Sequence, residues 1–356
     1  MPEIHRLSPN ATRLNDDFAA RLIRWHKRHG RHDLPWQNTR DPYRVWLSEI
    51  MLQQTQVATV LPYYRRFLDR FPQLATLAAS PVEDVMALWS GLGYYARARN
   101  LHACARAVVE RHGGEFPRET AAIAALPGIG RSTAAAIAAF AHGTRGAILD
   151  GNVKRVLARC FGIDGFPGEK KVEIRLWQLA ESLLPDQAIE TYTQALMDLG
   201  ATVCTRGKPA CARCPLDGEC IALKQDRVGE LPTPRPRKAV PQRSARFLIL
   251  RHDDRVLLEL RPPSGIWGGL LCLPELTDDD DPRLLARRRY ACRVDCIEAQ
   301  PPLTHGFTHF TLTLQPLLCR VAKVDPHAAQ PGVQWLDPDA LARAALPAPI
   351  RKLLAR

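Results

Sequence analysis

The sequence predicts a multidomain protein in which an all-α region is followed by a smaller α+β domain. From residue 14 to about residue 223, apolar residues recur at three- and four-residue spacing, which is typical of amphipathic helices. Residues 230–242 are rich in proline and charge, which indicates an extended linker. Beyond this linker, short apolar runs bounded by turns predict strands. We therefore expect domains at residues 1–229 and 243–356.

Helix starts are marked clearly in the first region. Asp41 and Pro42 provide an N-cap and a first-turn proline ahead of the helix predicted at residues 43–52. Thr120 is expected to cap a short helix over residues 121–126 in the same way. These signals predict where the helices of the first region begin.

The second domain carries strand and turn signals. Residues 246–250 and 255–260 predict two strands joined by a turn at residues 252–254, and residues 310–318 predict another. An acidic loop and a short basic helix are predicted within residues 278–290. No internal repeat is evident, so this domain is predicted to be a single α+β unit.

The composition favours a polyanionic partner. The 356 residues contain 49 Lys and Arg against 37 Asp and Glu, a formal net charge of +12, and such an excess favours binding to nucleic acid. A generally basic proteome is the alternative explanation. No stretch approaches the ~20 uncharged apolar residues of a membrane span, so we expect a cytoplasmic protein whose ten cysteines are thiols and metal ligands, not disulfides.

Four of the cysteines are closely spaced and predict one metal centre. Their order is Cys-x6-Cys-x2-Cys-x5-Cys, at Cys204, Cys211, Cys214 and Cys220. Four thiolates suit either a tetrahedral zinc ion or an iron–sulfur cluster, and the wide outer gaps favour the larger cluster. The other six are expected to be small buried hydrophobic residues: Cys104, Cys160, Cys272, Cys292, Cys296 and Cys319.

A glycine hairpin lies between two alanine-rich helical stretches. In residues 126–130, Leu-Pro-Gly-Ile-Gly, Gly128 and Gly130 allow backbone N–H groups to point outward at the start of the second helix. The helix dipole favours an anion there, and a DNA phosphate is the natural occupant. A glycine C-cap between packed helices is the alternative.

Two carboxylates have the environments that acid–base chemistry requires. Glu49 lies in the apolar stripe of its helix with Trp46 and Ile50, where burial should raise its pKa and make it a general acid. Asp150 precedes a helical run, where the helix N-terminus favours the ionised form. One protonated and one charged carboxyl group suit cleavage of a glycosidic bond. Taken alone, each residue could instead be an edge-of-stripe carboxylate or a simple helix cap.

The hairpin, Asp150 in LDGNV and the cysteine loop together resemble the endonuclease III superfamily of DNA glycosylases. Within it, WLSEIMLQQTQV at residues 46–57 and GLGYYARARNL at residues 91–101 are similar to the MutY family of adenine DNA glycosylases. The resemblance implies a helix–hairpin–helix catalytic region with one [4Fe-4S] cluster. It also implies that adenine mispaired with 8-oxoguanine, or less readily with guanine, is rotated out of duplex DNA and removed.

The resemblance assigns roles to individual residues. Glu49 corresponds to the acid that protonates the adenine ring and assists water, Asp150 to the carboxylate that stabilises the cationic sugar, and Asn152 to a helper of this pair. Relatives that also cut the backbone carry a lysine at position 132, whose amine forms a Schiff base. Ser132 therefore predicts hydrolysis with little or no strand cleavage, although it could also cap the helix.

Further positions match residues that contact DNA in the family. Tyr94 corresponds to the aromatic wedge beside 8-oxoguanine, and Gln54 to a minor-groove residue near the vacated adenine. Trp36 and Leu52 are expected to line the adenine pocket. Without the motif, Tyr94 would be predicted in the core and Gln54 on the surface.

The second domain resembles the Nudix-like domain with which the family inspects the opposite base. Residues 264–269 are similar to a Nudix loop, but no RExxEE-type acidic run follows, so the Mg²⁺ ligands for pyrophosphate hydrolysis are missing. Phe307, Thr308 and His309 match the family's Phe-Ser-His loop, which contacts 8-oxoguanine, with threonine in place of serine. Outside this context the tripeptide would be read as a strand or turn fragment.

Other functions remain open at this stage. They are a bifunctional glycosylase and lyase for oxidised pyrimidines, a non-catalytic iron–sulfur protein that binds DNA, and a Nudix hydrolase fused to a DNA-binding region. Ser132 counts against the lyase, and the two carboxylates count against a non-catalytic protein. The missing acidic run counts against a Nudix hydrolase. We expect a monomer in the bacterial cytoplasm, associated with the nucleoid, whose cluster holds Arg206, Lys208 and Arg213 against DNA phosphates.

Overall fold

A computed structural model describes most of the chain, namely residues 9–236, 239–263, 265–307, 309–324 and 331–355. The chain forms two compact units, and each contains segments that are distant in sequence. The first unit comprises residues 1–57, 73–75 and 103–237. The second comprises residues 58–72, 76–102 and 238–356. The sequence-based boundaries at residues 229 and 243 remain a prediction.

Helices dominate the chain up to residue 224. In chain order they are α1 (Pro9–His29), α2 (Pro42–Leu52), α3 (Val57–Arg70), α4 (Leu74–Ala79), α5 (Val82–Trp89), α6 (Ala96–His112), α7 (Thr120–Ala124), α8 (Arg131–His142), α9 (Gly151–Cys160), α10 (Lys170–Ser182), α11 (Ile189–Asp198) and α12 (Ile221–Lys224). A π-helical turn, Leu199–Val203, follows α11, and a 3-10 turn, Cys211–Arg213, lies in the cysteine loop. Among the described residues, no helix has both the length and the apolarity needed to cross a membrane.

The predicted cap of α2 is confirmed, whereas that of α7 is wrong. Asp41 accepts a hydrogen bond from the backbone N–H of Tyr43 at 2.9 Å, and Pro42 occupies the first turn of α2. Helix α7 begins at Thr120 itself, with Glu119 at the N-cap and no side-chain capping bond. Thr120 cannot cap this helix because it already occupies a helical position.

The core of the first unit packs α1, α8, α9 and α11 together. Leu22, Ala139, Leu157 and Leu196 are among its fully or almost fully buried residues. The alanines of α8 carry short side chains, which allow neighbouring helices to approach closely. This core fixes the N-terminal ends of α8 and α9, where the hairpin and Asp150 lie.

The second unit contains a mixed eight-stranded sheet. Its strands are β1 (Gln242–His252), β2 (Arg255–Leu260), β3 (Leu271–Cys272), β4 (Glu275–Leu276), β5 (Cys292–Ala299), β6 (Leu303–Gly306), β7 (Thr311–Val324) and β8 (Val333–Leu336). The main order is β3-β2-β1-β7-β5, with β4 paired to β1, β6 to β7 and β8 to β2. Strands β1 and β7 are parallel in a register that pairs Gln242 with Thr311.

Three helices complete this part of the chain: α13 (Pro282–Tyr290), α14 (Pro338–Arg343) and α15 (Ala348–Leu354). Ala286 and Tyr290 of α13 join a core formed with strand residues such as Leu248 and Cys319. The predicted strands are confirmed: β2 has the predicted bounds, whereas β1 and β7 extend further. The basic helix is confirmed as α13. The predicted fold class, an all-α region followed by an α+β domain, is confirmed.

The first residues of the predicted linker pack on the first unit. Leu231 is buried, and its carbonyl accepts a hydrogen bond from Nε of Arg159 at 2.8 Å. The backbone N–H of Gly165 donates to Oγ1 of Thr233 at 3.1 Å. Residues 231–233 are therefore anchored to the first unit, while Gln242 already belongs to β1.

Candidate active site

Glu49 on α2 lines an open cavity. On the same helix Trp46 and Ile50 are buried, while Glu49 keeps partial access to solvent. The cavity has a volume of about 510 Å³. Its lining residues are His26, Arg31, His32, Trp36, Gln37, Asn38, Thr39, Arg40, Val45, Ser48, Glu49, Phe140, Glu190, Thr191 and Gln194. Trp36 is thus brought to the same cavity as Glu49, as expected, whereas Leu52 is not among the lining residues.

The environment of Glu49 favours its protonated form at neutral pH. Burial raises the pKa of Glu49 from 4.5 to about 8, and the nearby charge of Asp150 adds to the rise. The residue nevertheless keeps some accessible surface through the cavity. The raised pKa expected from the sequence is therefore present, and Asp150 contributes to it.

Asp150 is the N-cap of α9, as predicted. Its carboxylate accepts hydrogen bonds from the backbone N–H of Val153 at 2.8 Å and from Nδ2 of Asn152 at 3.3 Å. Burial nevertheless raises the pKa of Asp150, while these bonds and the charge of Arg155 limit the rise. The helix N-terminus alone therefore does not decide the ionisation of Asp150. Since these donors converge on Asp150, we place the negative charge of the pair there.

Arg155 anchors Asn152 beside Asp150. Its Nη2 donates to Oδ1 of Asn152 at 2.8 Å and to the carbonyl of Gly200 at 2.7 Å, while Nε donates to the carbonyl of Cys204 at 2.7 Å. Arg155 was not identified from the sequence. Its position three residues after Asn152, on the same helical face, is the signal that could have indicated it.

Ser132 connects the hairpin to the segment that carries Asp150. The backbone N–H of Leu149 donates to Oγ of Ser132 at 2.9 Å. The N-cap of α8 is Gly130, so the alternative role of Ser132 as a helix cap is wrong. Its hydroxyl is instead the acceptor for a buried backbone group directly before Asp150.

The hairpin glycines lie where an anion could approach. Gly128 has φ +77°, a left-handed conformation that favours glycine. At Gly130 an added Cβ would meet nothing within 4 Å, so the start of α8 is sterically open. The C-cap of α7 is Ala125, which shows that neither glycine is a C-cap of that helix.

A buried ion-pair network forms one wall of the cavity. Asp198, which is fully buried, accepts hydrogen bonds from Arg31 through the backbone N–H at 2.7 Å, Nε at 2.9 Å and Nη2 at 2.6 Å. Gln194 also donates to it at 2.8 Å, and Nε2 of His26 lies 3.4 Å away. Sequence reasoning missed this network, because Asp198, the last residue of α11, is bonded to Arg31 from a distant part of the chain.

Gln54 and Tyr94 share an unusual backbone conformation, each in its own unit. Gln54 has φ +56° and an exposed side chain. Tyr94 has φ +50° and is 50% exposed, so it is not part of a core. Left-handed conformations are unfavourable for non-glycine residues and concentrate at functional sites.

The Phe-Thr-His segment is only partly described, because Thr308 lies outside the described residues, as does Ser264 of the Nudix-like loop. The ring of Phe307 stacks on Phe310 with centroids 4.5 Å apart and meets Trp267 at 5.8 Å. Phe307 thus anchors the segment, whereas His309 is exposed.

The four clustered cysteines lie within electrostatic reach of one another. Burial raises the pKa of the Cys214 thiol to about 12, and Cys204, Cys220 and Cys211 contribute further. Nη1 of Arg159 donates to Sγ of Cys204 at 3.4 Å. Among the described residues, no three His, Cys, Asp or Glu side chains converge on a single ion. The chemistry of the donor set, four sulfur atoms close enough for their charges to interact, is nevertheless of the kind that zinc and iron–sulfur clusters bind.

Of the six scattered cysteines, five are buried as expected and Cys296 is half-buried. The thiols of Cys104 and Cys272 illustrate the consequence, since burial raises the pKa of each to about 12. These cysteines therefore pack as small apolar residues.

Comparison with known proteins identifies both parts of the chain. Residues 47–182 match the HhH-GPD superfamily of base excision DNA repair proteins, and residues 245–356 match the NUDIX domain. The adenine DNA glycosylase of Buchnera aphidicola (subspecies Acyrthosiphon pisum) is 36% identical over 95% of this chain and 96% of its own length. That of Mus musculus is 34% identical over 94% of this chain and 77% of its own length.

Solved structures share the fold of the first region. A thermostable thymine-DNA glycosylase aligns with a TM-score of 0.55 and 30% identity over 62% of this chain and 100% of its own. An endonuclease III solved in a non-covalent DNA complex aligns with a TM-score of 0.50 and 22% identity, over 60% of this chain and 97% of its own. With the full-length relatives, these matches confirm the resemblance drawn from the motifs. The chain belongs to the adenine DNA glycosylase family and is a DNA N-glycosylase of base excision repair.

Proposed function

We propose that this protein binds duplex DNA and hydrolytically removes adenine paired with 8-oxoguanine, and less readily with guanine, with little or no strand cleavage. The observation that carries the proposal is the position of Glu49 near Asp150, in a cavity also lined by Trp36, where burial raises the pKa of Glu49. Such a cavity suits a flat base rotated out of the duplex, with Trp36 as an apolar wall.

Glu49 begins the reaction as the general acid. Its carboxyl group donates a proton to a ring nitrogen of adenine, and the N-glycosidic bond then breaks with its electron pair leaving on the base. A pKa of about 8 keeps this proton in place at neutral pH. The departing adenine is therefore neutral.

Asp150 stabilises the positive charge that develops on the sugar. The hydrogen bonds from Val153 and Asn152 hold its carboxylate in place, and Arg155 holds Asn152. Glu49, now ionised, accepts a proton from water as the oxygen adds to the sugar carbon. The products are free adenine and an abasic site, and Glu49 regains its proton.

Strand cleavage requires a nucleophilic amine at the sugar, and Ser132 does not provide one. Its hydroxyl is already engaged as the acceptor for the N–H of Leu149. This contact supports a monofunctional enzyme, in which hydrolysis ends the reaction.

DNA contacts are assigned to both units. Gly128 and Gly130 of the hairpin are proposed to bind a backbone phosphate. Gln54 and Tyr94 are proposed to enter the duplex near the vacated adenine and beside 8-oxoguanine. Exposure and left-handed backbone at both positions support this assignment. In the Nudix-like domain, Thr308 and His309 are proposed to contact 8-oxoguanine.

The four cysteines are proposed to hold one [4Fe-4S] cluster. Bound there, the group would supply iron–thiolate bonds that cross-link the loop, and it takes no part in glycosidic cleavage. Arg206, Lys208 and Arg213 on this loop would then be available for DNA phosphates. We propose that the protein acts as a monomer.

The test is a strand-resolution assay on a duplex that contains adenine opposite 8-oxoguanine. Purified protein should produce breaks chiefly after hot alkali, because alkali cleaves the abasic site that hydrolysis leaves. Strong nicking without alkali would indicate the bifunctional alternative, and absence of adenine release would indicate a non-catalytic DNA-binding protein.

A variant separates binding from catalysis. Glu49→Gln should retain affinity for the duplex and lose adenine release, because glutamine cannot donate the proton. Duplex affinity is measured by equilibrium titration and excision by single turnover. Turnover like that of the unmodified protein would remove Glu49 from the mechanism.

A further inference from the structure

The segment that carries Tyr94 adopts a conformation that depends on its surroundings. Within the wedge segment, defined here as residues 90–95, Gly91 has φ +97°, Gly93 φ +78° and Tyr94 φ +50°. Tyrosine rarely adopts a left-handed conformation without contacts that enforce it. The position of the Tyr94 ring is therefore set by the groups that hold this segment.

Some of these groups come from the same helical region. Nε1 of Trp89 and Nη2 of Arg97 both donate to the carbonyl of Gly93, each at 3.1 Å. The hydroxyl of Tyr63 on α3 donates to the carbonyl of Ser90 at 2.9 Å. These bonds restrain the segment from one side.

The other contacts come from the C-terminal part of the same unit. Oγ of Ser90 donates to the carbonyl of Leu346 at 3.1 Å. The hydroxyl of Tyr95 accepts from the backbone N–H of Gly91 at 3.3 Å and donates to the same Leu346 carbonyl at 3.4 Å. Tyr95 therefore connects the first glycine of the wedge segment to the turn between α14 and α15, where Leu346 is buried.

A second connection leads toward the Phe-Thr-His segment. Nη1 of Arg99 on α6 donates to the carbonyl of Gly268 at 2.6 Å. Gly268 adjoins Trp267, whose ring contacts Phe307. A Cβ at Gly268 would lie 2.6 Å from the carbonyl oxygen of Pro263, so this close approach of the backbone requires glycine.

We propose that Tyr95, assisted by Ser90, is a specificity-determining positioning residue that couples the Nudix-like domain to the Tyr94 wedge. The inference rests on the proposed function, in which that domain reads 8-oxoguanine and Tyr94 inserts beside it. Through Tyr95, the position of the Nudix-like domain sets the position of the Tyr94 ring. Insertion of Tyr94 is therefore favoured when the opposite base is 8-oxoguanine. It contacts neither the adenine nor the carboxylates.

The chain offers a matched pair of variants. Tyr95→Phe removes the hydroxyl that connects Gly91 to Leu346, whereas Tyr63→Phe removes a hydroxyl that holds the same segment from α3. Each change deletes one oxygen and keeps the aromatic ring. Thermal unfolding of both variants checks that they lose a similar amount of stability relative to the unmodified protein.

The experiment compares adenine release opposite 8-oxoguanine and opposite guanine in the full-length protein. Tyr95→Phe should lower the ratio of kcat/KM for the two duplexes by about fivefold, the effect of losing one net hydrogen bond. The single-turnover rate at saturating duplex should change less than twofold. Tyr63→Phe should leave the ratio within about twofold of the unmodified value. Combining Tyr95→Phe with His309→Ala should add little to the loss caused by His309→Ala alone.

Two results would overturn the coupling. An unchanged ratio in Tyr95→Phe is one, and an equal fall in Tyr63→Phe is the other, since it would reflect general loosening of the segment. Failure of the proposed function would be seen in the unmodified protein, which would then show no preference for 8-oxoguanine over guanine.

Discussion

Glu49→Gln should make the folded protein more stable at neutral pH while it abolishes excision. The folded-state pKa of about 8 lies above the ordinary 4.5, so the folded protein keeps a proton that the unfolded chain releases in this window. The free energy of unfolding of the unmodified protein therefore falls as pH rises from 4.5 to about 8. Between pH 5 and pH 7.5 the loss is at most about 3 kcal/mol, because solvent in the cavity reduces it.

Urea unfolding of both proteins at pH 5, 6.5 and 7.5 measures this difference. Glutamine does not titrate, so the stability advantage of Glu49→Gln should grow with pH, and titrating groups that do not interact with Glu49 cancel in the comparison. Ser48→Ala is the control, because Ser48 is a buried neighbour on α2 whose hydroxyl donates to the carbonyl of Val45. Its effect should be the same at each pH. A pH-independent difference for Glu49→Gln would refute the raised pKa as the source of its protonation.

Three further substitutions test other parts of the structure. Asp198→Asn should cost about 3 kcal/mol of stability at pH 7 in urea unfolding, because Arg31 would lose its buried partner. Burial opposes ionisation of Asp198, but the hydrogen bonds from Arg31 and the nearby His26 keep its pKa below the ordinary value. The stabilisation should therefore persist above pH 4 and vanish on acidification. Equal stability of the two proteins at pH 7 would contradict it. Ser132→Ala should lower stability by about 1 to 3 kcal/mol by leaving the N–H of Leu149 without its acceptor, and a thermal scan showing no shift would exclude this. Cys211→Ser should weaken folding or DNA affinity before it slows bond cleavage, so a stable, cluster-free variant with unchanged affinity would argue against a role for the cluster in DNA binding.

The sequence predicted correctly those structural features that are set by a few consecutive residues. The caps at Asp41 and Asp150 and the turn after β1 are examples, since each needs only a few consecutive residues. The bond network of Asp198 with Arg31 spans 167 positions, and no local pattern indicates it. The left-handed conformation of Tyr94 was missed for the same reason. The pKa of Asp150 depends on burial, which the capping motif does not report.

The discontinuous composition of the second unit has a consequence for how the protein can be divided. Hydrogen bonds of Ser90, Tyr95 and Arg99 to Leu346 and Gly268 join helical residues from the first third of the chain to the C-terminal part. A cut at residue 237 would therefore not release an independent module, but would strip α5 and the start of α6 of their partners. The segments of the two units alternate along the chain, so no single cut separates one unit from the other.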